Sequence, residues 1–449
     1  MKLALLLLAI ALPAAAQQVD AGTPDDLQKE LEKAIRADST ATPAQDGTAP
    51  PAPPAATSGS TGSAPQTLLR GAQSLNPDLS VILDGVFGYQ RRTPQFLSGD
   101  DPDLGAQGTS HALGFMVQEV ELAFSAIVDP YFKGEVYLTI PNLSGLEVEE
   151  AFATTTSLPW NLQVKAGSFR GGFGRQNGQH LHLQDFTRRP LINAAFLGAD
   201  GMRGPGAQVS WLAPLPFFLT LAGEAFSLRN GPADESQVQP LPVPSFGADA
   251  STRPTLAVEA KAFFPISEAW SLTSGLSFAS GRSPGLLLAD ATPAGAGRDS
   301  QLYGVDLYLK WKPANVAQGY ESLAFQAEVV LRHIDGEDPL PLPFSGQRIE
   351  SEWDGGAYAQ VVAQFARRWF VGLRGDIVGV PSSSVLARTG RLGASLTFQA
   401  SEFARVRAYL DAERASGTSG LLPQAQPEWA PAAFLQLEFS MGAHGAHPY

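Results

Sequence analysis

The chain has 449 residues, no cysteine, and 31 Lys+Arg against 44 Asp+Glu, a formal net charge of −13. Without cysteine there are no disulfides, Fe–S clusters, cysteine-ligated zinc or thiol nucleophiles, and an acidic balance with no long Lys/Arg run excludes affinity for nucleic acid built on phosphate neutralisation. Only 17% of the residues are charged, against about 25% in an ordinary soluble domain.

Met1-Lys2, an apolar run from Leu3 to Leu12 and small residues up to Ala16 have the three-part layout of a secretory signal, so 1–16 is expected to be cleaved after Ala16. That run is too short to cross a bilayer, and no later stretch reaches the 18 consecutive apolar residues that a membrane helix requires. Within 17–37, the segment DDLQKELEKAIR spaces Leu27, Leu31 and Ile35 four apart, with acids early and Arg36 late. One short amphipathic helix is expected there, on the periplasmic side. Residues 38–70 are rich in Pro, Ala, Ser and Thr, and Asp38 to Pro65 holds no Leu, Ile, Val or aromatic residue. Such a segment cannot bury enough surface to offset chain entropy and reads as a disordered linker.

From about Leu79 to Met441 the rhythm changes to period two, the signature of half-buried strands. Leu79, Val81, Leu83, Phe87 and Tyr89 alternate with Ser80, Asp84, Gly88 and Gln90. The same alternation returns near 120–126, 132–140, 256–264, 303–311, 323–331, 357–365, 406–411 and 433–441, and less regularly near 146–156, 161–169, 206–212, 217–227, 271–280, 369–378 and 391–399. The sum is sixteen strands. Links such as Asp129-Pro130, Pro214 to Pro216 and Ala366 to Arg368 are short, whereas 91–112, 170–205, 228–254, 281–299, 334–351 and 413–427 are long. Short turns on one rim and long loops on the other describe a closed antiparallel transmembrane β-barrel, an all-β fold over 71–449.

Three features separate this reading from a soluble β-sandwich. The apolar faces of the regular strands carry no Asp, Glu, Lys or Arg, the opposite faces are persistently charged, and five of the seven tryptophans (Trp160, Trp211, Trp270, Trp311 and Trp369) lie beside the short turns. An interfacial aromatic belt belongs there. A sixteen-stranded barrel is too wide for side chains to fill, so a water-filled channel in the bacterial outer membrane is expected, passing small hydrophilic solutes by diffusion.

From Arg170 to Arg203 the chain holds Arg170, Arg175, Arg188, Arg189 and Arg203 against Asp185 and Asp200. Folded into the lumen, this connection would narrow the pore and attract anions, together with the inward bases Lys133, Lys165, Arg405 and Arg407. Facing outwards, it would meet anionic lipopolysaccharide. His180 and His182, with Asp185 nearby, are the candidates for a divalent metal, as are His444 and His447 in the tail. Neither pair has a definite third ligand, and no metal or other cofactor is assigned.

Gly167, Phe169-Arg170 and Phe173-Gly174 closing a strand, the aromatic-then-arginine element Phe186 to Arg188, and Asp200-Gly201 before a glycine-led strand resemble the porin family that includes the phosphate-selective (O/P-type) porins. This resemblance implies a sixteen-stranded, trimeric porin with an inward loop. Thr187 stands where members of that family often place Glu, and no row of lysines runs down one wall. An enzyme is not expected: His111 and His333 are isolated beside loops, and Gly-x-Ser-x-Gly is absent. The alternative function is an outer-membrane receptor or transporter for a metal or other specific ligand, energised from the inner membrane, which would need a folded plug ahead of the barrel.

Overall fold

The computed structural model describes residues 77–91, 102, 104, 111–198, 201–228, 245–247, 253–283, 298–316, 319–335, 338–339, 348–349, 351–383, 386–416 and 429–442. The expected signal 1–16, helix 17–37 and linker 38–70, and the tail with His444 and His447, lie outside these residues. The chain divides into two units at Ala64/Pro65, and all the described residues belong to the second.

Alternating side chains make each strand two-faced, and pairing hides its backbone. The strands are Asp78–Arg91 (β1), His111–Asp129 (β2), Phe132–Pro141 (β3), Glu147–Thr155 (β4), Leu162–Arg170 (β5), Arg203–Leu212 (β6), Phe218–Phe226 (β7) and Thr255–Pro265 (β8). They continue with Trp270–Ser283 (β9), Arg298–Trp311 (β10), Ser322–Asp335 (β11), Glu352–Ala366 (β12), Trp369–Val378 (β13), Arg388–Ser401 (β14), Ala404–Ser416 (β15) and Trp429–Gly442 (β16). Each pairs antiparallel with its sequence neighbours, and β1 closes the barrel on β16 from Ser80 against Gly442 to Gln90 against Ala432. A separate ribbon joins 338–339 to 348–349 between β11 and β12. Among the described residues no helix is long and apolar enough to cross a membrane.

The faces are inverted relative to a water-soluble domain. On β10, Val305 is 54% exposed while its neighbour Asp306 is 2% exposed. Leu83, Leu276, Val329, Leu373 and Leu410 likewise point out, whereas Asp84, Glu121, Arg332, Arg391 and Arg407 are buried inside. An outer surface of this kind is matched to hydrocarbon, with the polar face turned to the lumen.

Turns on the short rim are tied locally: the Asp129 carboxylate accepts from the N–H groups of Tyr131 and Phe132 at 2.8 Å, and Ser267 Oγ accepts from Trp270 N at 3.2 Å. Trp160, Trp211, Trp270, Trp311 and Trp369 sit at this rim, Trp270 and Trp311 with their rings 6.5 Å apart. Trp353 and Trp429 start strands at the other end.

Among the described strands five register shifts interrupt the pairing, three beside short turns and two in mid-strand. Asp84 pairs with Glu119 but Gly85 with Val117, which leaves Gln118 as an extra residue in β2. The outward set there passes from Leu113, Phe115 and Val117 to Val120, Leu122 and Phe124 without a charge reaching the lipid. On β4, Tyr137 pairs with Glu150 and Leu138 with Val148, so Glu149 is extra, and both Glu149 and Glu150 are buried inside.

A basic residue on the lipid face is expected to be costly. Val305→Arg should lower the unfolding free energy in bilayers by about 2–4 kcal/mol, read from urea titrations of refolded protein, and an unchanged midpoint would place that face in water.

Candidate functional site

The connection between β5 and β6, described at 171–198 and 201–202, crosses the inside of the barrel. Its neck is closed where Gly171 N donates to Met202 O at 2.8 Å, and Asn177 locks it: Nδ2 donates to Gly171 O at 2.8 Å and Oδ1 accepts from Met202 N at 2.7 Å. A buried backbone must find partners, and here the wall supplies them. Gly172 N donates to the Glu224 carboxylate of β7 at 3.0 Å, Gly172 O accepts from Lys261 Nζ of β8 at 3.2 Å, and Gly174 N donates to Ser277 Oγ of β9 at 3.0 Å. Gly174 turns in the left-handed region (φ 65°), and the next two N–H groups, of Arg175 and Gln176, converge on Glu328 Oε1 of β11, the second at 2.9 Å.

Across the lumen the polarity of the anchors reverses. Arginines of the far wall hold loop carbonyls: Arg405 that of His182, Arg407 that of Gln184 at 2.7 Å, and Arg374 and Arg391 that of Arg189, the former at 3.3 Å. Thr187 Oγ1 donates to Gln436 of β16 at 2.9 Å, and Leu191 N donates to Asp376 of β13 at 3.1 Å. The loop then returns through Leu191, Ile192, Ala195, Phe196, Leu197 and Met202. These bury against Phe169, Phe226, Ala257, Ala279, Leu302, Val330, Tyr358 and Val378. A buried Leu, Ile or Phe contributes roughly 1.5–3 kcal/mol, so this apolar return also anchors the loop.

The basic residues singled out in the sequence meet different fates. Arg170 pairs with Glu149, and Arg188 reaches Asp411 at 3.1 Å and Glu413 at 3.5 Å; both arginines are buried. Arg189 is buried with Nη2 on Gln179 O at 3.0 Å, and Arg203 is half-buried opposite Arg170 in the β5–β6 register. Arg175 lies half-exposed over the Tyr308 ring at 3.9 Å, and Lys165 over Phe169 at 4.8 Å. Lys133 pairs with Glu135 at 3.0 Å and Arg405 with Glu438 at 2.5 Å, while Arg407 is buried on Gln436 at 2.7 Å.

His180 and His182 come together, with rings 5.8 Å apart, but Asp185 is not with them: it is exposed and accepts from Gln360 at 3.3 Å. Acids of the wall stand there instead. His180 Nδ1 is 3.2 Å from Glu149 Oε2 and 3.3 Å from Glu121 Oε2, and its Nε2 is 3.0 Å from Glu150 Oε1. Burial drives the imidazole towards its neutral form, but Glu149, followed by Glu121 and Glu150, outweighs this and raises the His180 pKa well above the ordinary histidine range. Strict alternation would turn one of the successive acids Glu149 and Glu150 outward, and only the bulge brings both in.

A closed sixteen-stranded barrel with one long connection folded across its lumen defines a porin-like architecture. No family model matches the chain. Over 396 residues it is 35% identical to an "Uncharacterized protein" of Aquifex aeolicus (strain VF5), covering 83% of this chain and 80% of that one. The chain belongs to the family of that protein. Among solved structures it is similar to the anion-selective porin from Comamonas acidovorans (TM-score 0.52, 10% identity, 81% of this chain and 99% of that one). It is also similar to the outer membrane channel DcaP of Acinetobacter baumannii (TM-score 0.51, 12% identity, 81% and 97%). At these identities the likeness is one of fold.

Glu328→Ala removes the acceptor that two loop N–H groups share, a loss of about 1–3 kcal/mol. Amide exchange at Arg175 and Gln176 should accelerate roughly ten- to a hundredfold. Equal protection in mutant and wild type would show that this carboxylate does not hold the loop.

Proposed function

We propose that the protein is an outer-membrane porin that passes small hydrophilic solutes by diffusion and prefers anions. The inverted barrel supports the membrane setting, and the loop across the lumen supports a narrowed, selective passage. The observation that carries the anion preference is the order of exposure within three ion pairs of the strands, Lys133–Glu135, Lys261–Glu259 and Arg405–Glu438; at Arg282–Asp299 the order is reversed. Lys133 is 40% exposed against 18% for Glu135, and Lys261 is 35% exposed against 12% for Glu259. Arg405 is likewise more exposed than Glu438. In these three pairs the base faces the lumen and the acid lies behind it, so a passing ion meets positive charge first although the chain as a whole is acidic. That one structural neighbour is an anion-selective porin agrees with this reading.

The same proposal takes residues 1–16 as the export signal, 17–37 and 38–70 as a periplasmic helix and tether, and the assembly as a homotrimer. Within the phosphate-selective type, Arg175 above Tyr308 and the exposed Lys133 and Lys261 are the residues we assign to attracting the anion.

Planar-bilayer recordings in a KCl gradient test the selectivity. The wild type is expected to give ohmic steps and a reversal potential on the chloride side. A unit charge at contact distance in water is worth about 1 kcal/mol, so the triple variant Lys133→Gln, Lys261→Gln, Arg405→Gln should lower the chloride-to-potassium permeability ratio by roughly threefold or more. A wild-type reversal potential on the potassium side, or one unmoved in the variant, refutes the anion preference.

A further inference from the structure

Where the loop's midpoint meets the wall, five metal-binding side chains share one buried pocket. Glu121 enters from β2, Glu149 and Glu150 from the bulge in β4, and His180 and His182 from the loop; all are buried. One oxygen or nitrogen from each of Glu121, Glu149 and His180 lies within 4.8 Å of the others.

Three details of this pocket fit a bound cation. The first is spacing: a tetrahedral ion with arms of about 2.1 Å has ligand–ligand edges of roughly 3.4 Å. His180 Nδ1 to Glu149 Oε2 is 3.2 Å, His180 Nδ1 to Glu121 Oε2 is 3.3 Å, and His182 Nδ1 to Glu121 Oε2 is 3.3 Å. The second is the unmet demand of Glu121. Both its carboxylate oxygens are buried without a donor in hydrogen-bonding geometry, although two imidazole nitrogens face Oε2. The third is the outer support of the ligands. Glu150 lies against His180 Nε2 and orients the ring so that Nδ1 is turned to Glu121 and Glu149. Arg170 occupies Glu149 Oε1 through Nε at 3.1 Å, which leaves Oε2 to the pocket. A carboxylate behind a histidine ligand is the arrangement that orients metal-bound imidazoles.

We propose that Glu121, Glu149 and His180 bind a divalent transition-metal ion of the zinc class, with His182, whose Nδ1 stands 3.3 Å from Glu121 Oε2, closing in as the fourth ligand, and that the ion fastens the inward loop to the β2–β4 wall. Mixed imidazole and carboxylate donors suit zinc and its neighbours better than magnesium or calcium, which prefer oxygen alone. Binding does not depend on what passes through the barrel.

Calorimetric titration of the refolded full-length protein with Zn²⁺ should show one site per chain. Glu150→Gln, which leaves all four ligands in place, should weaken binding 10- to 100-fold, and Glu121→Gln at least as much. The variant His444→Gln, His447→Gln should keep wild-type affinity. Cobalt in place of zinc should give the intense visible absorption of a four-coordinate site, and lose it in Glu121→Gln. Heat-modifiable electrophoretic mobility reports whether each variant has formed its barrel; should Glu121→Gln fail to form it, Glu150→Gln decides. Absence of a stoichiometric site in the wild type, unchanged affinity in a folded Glu121→Gln or Glu150→Gln, or a site that vanishes with the tail histidines overturns the proposal.

Discussion

Hydrocarbon offers no partner to a backbone N–H or C=O, and every other feature of this protein is arranged around that fact. A sheet with free edges would leave two rows of such groups unpaired, whereas joining β1 to β16 from Ser80 to Gln90 removes the last edge. Closure then sorts the side chains. Val305 and Leu410 can face lipid because Asp306 and Asp411 face away from it, and each strand repeats this choice at alternate residues. Where β2 and β4 carry an extra residue, the bulge switches the parity so that the sorting survives. On β4 it also brings two successive acids inside.

Sixteen strands enclose more space than their inward side chains can fill. Residues 171–198 occupy that space, and the pairing requirement follows them inside. Glu224 and Glu328 receive loop N–H groups from one wall, and Arg374, Arg391, Arg405 and Arg407 supply donors to loop carbonyls from the other. Much of the charge in the lumen is thus committed to holding the chain across it. The proposed anion preference rests on a smaller set at pair margins, Lys133, Lys261 and Arg405, together with Arg175 on its tyrosine. Net composition is a poor guide to the field in such a passage, because burial separates the charges that hold the loop from those that meet water.

The loop also explains a departure from alternation. Leu302, Val330 and Val378 point inward and are buried, although the lumen is polar elsewhere. They lie where Ile192, Phe196 and Leu197 press against the wall, so the barrel carries a local apolar core on its inner face. The loop is therefore built to stay in place by two different means, hydrogen bonding on its crossing and apolar burial on its return.

Strand number, strand facing, the tryptophan rim and the closed barrel were all legible in the sequence, because each is a local pattern repeated sixteen times and the bilayer enforces it at every repeat. The basic character of 170–205 was legible too, but not its placement, since the same five arginines suit an outer loop or an inner one. Which of those arginines pair with acids, and which stay in contact with water, is decided by strands far away in the chain, as when Arg188 meets Asp411. The grouping of His180 and His182 with Glu121, Glu149 and Glu150 depends on a bulge that adds one residue to β4. Asp185, the acid nearest in sequence, points elsewhere. Periodicity records what each residue faces; only closure of the barrel and the path of one loop determine what each residue meets.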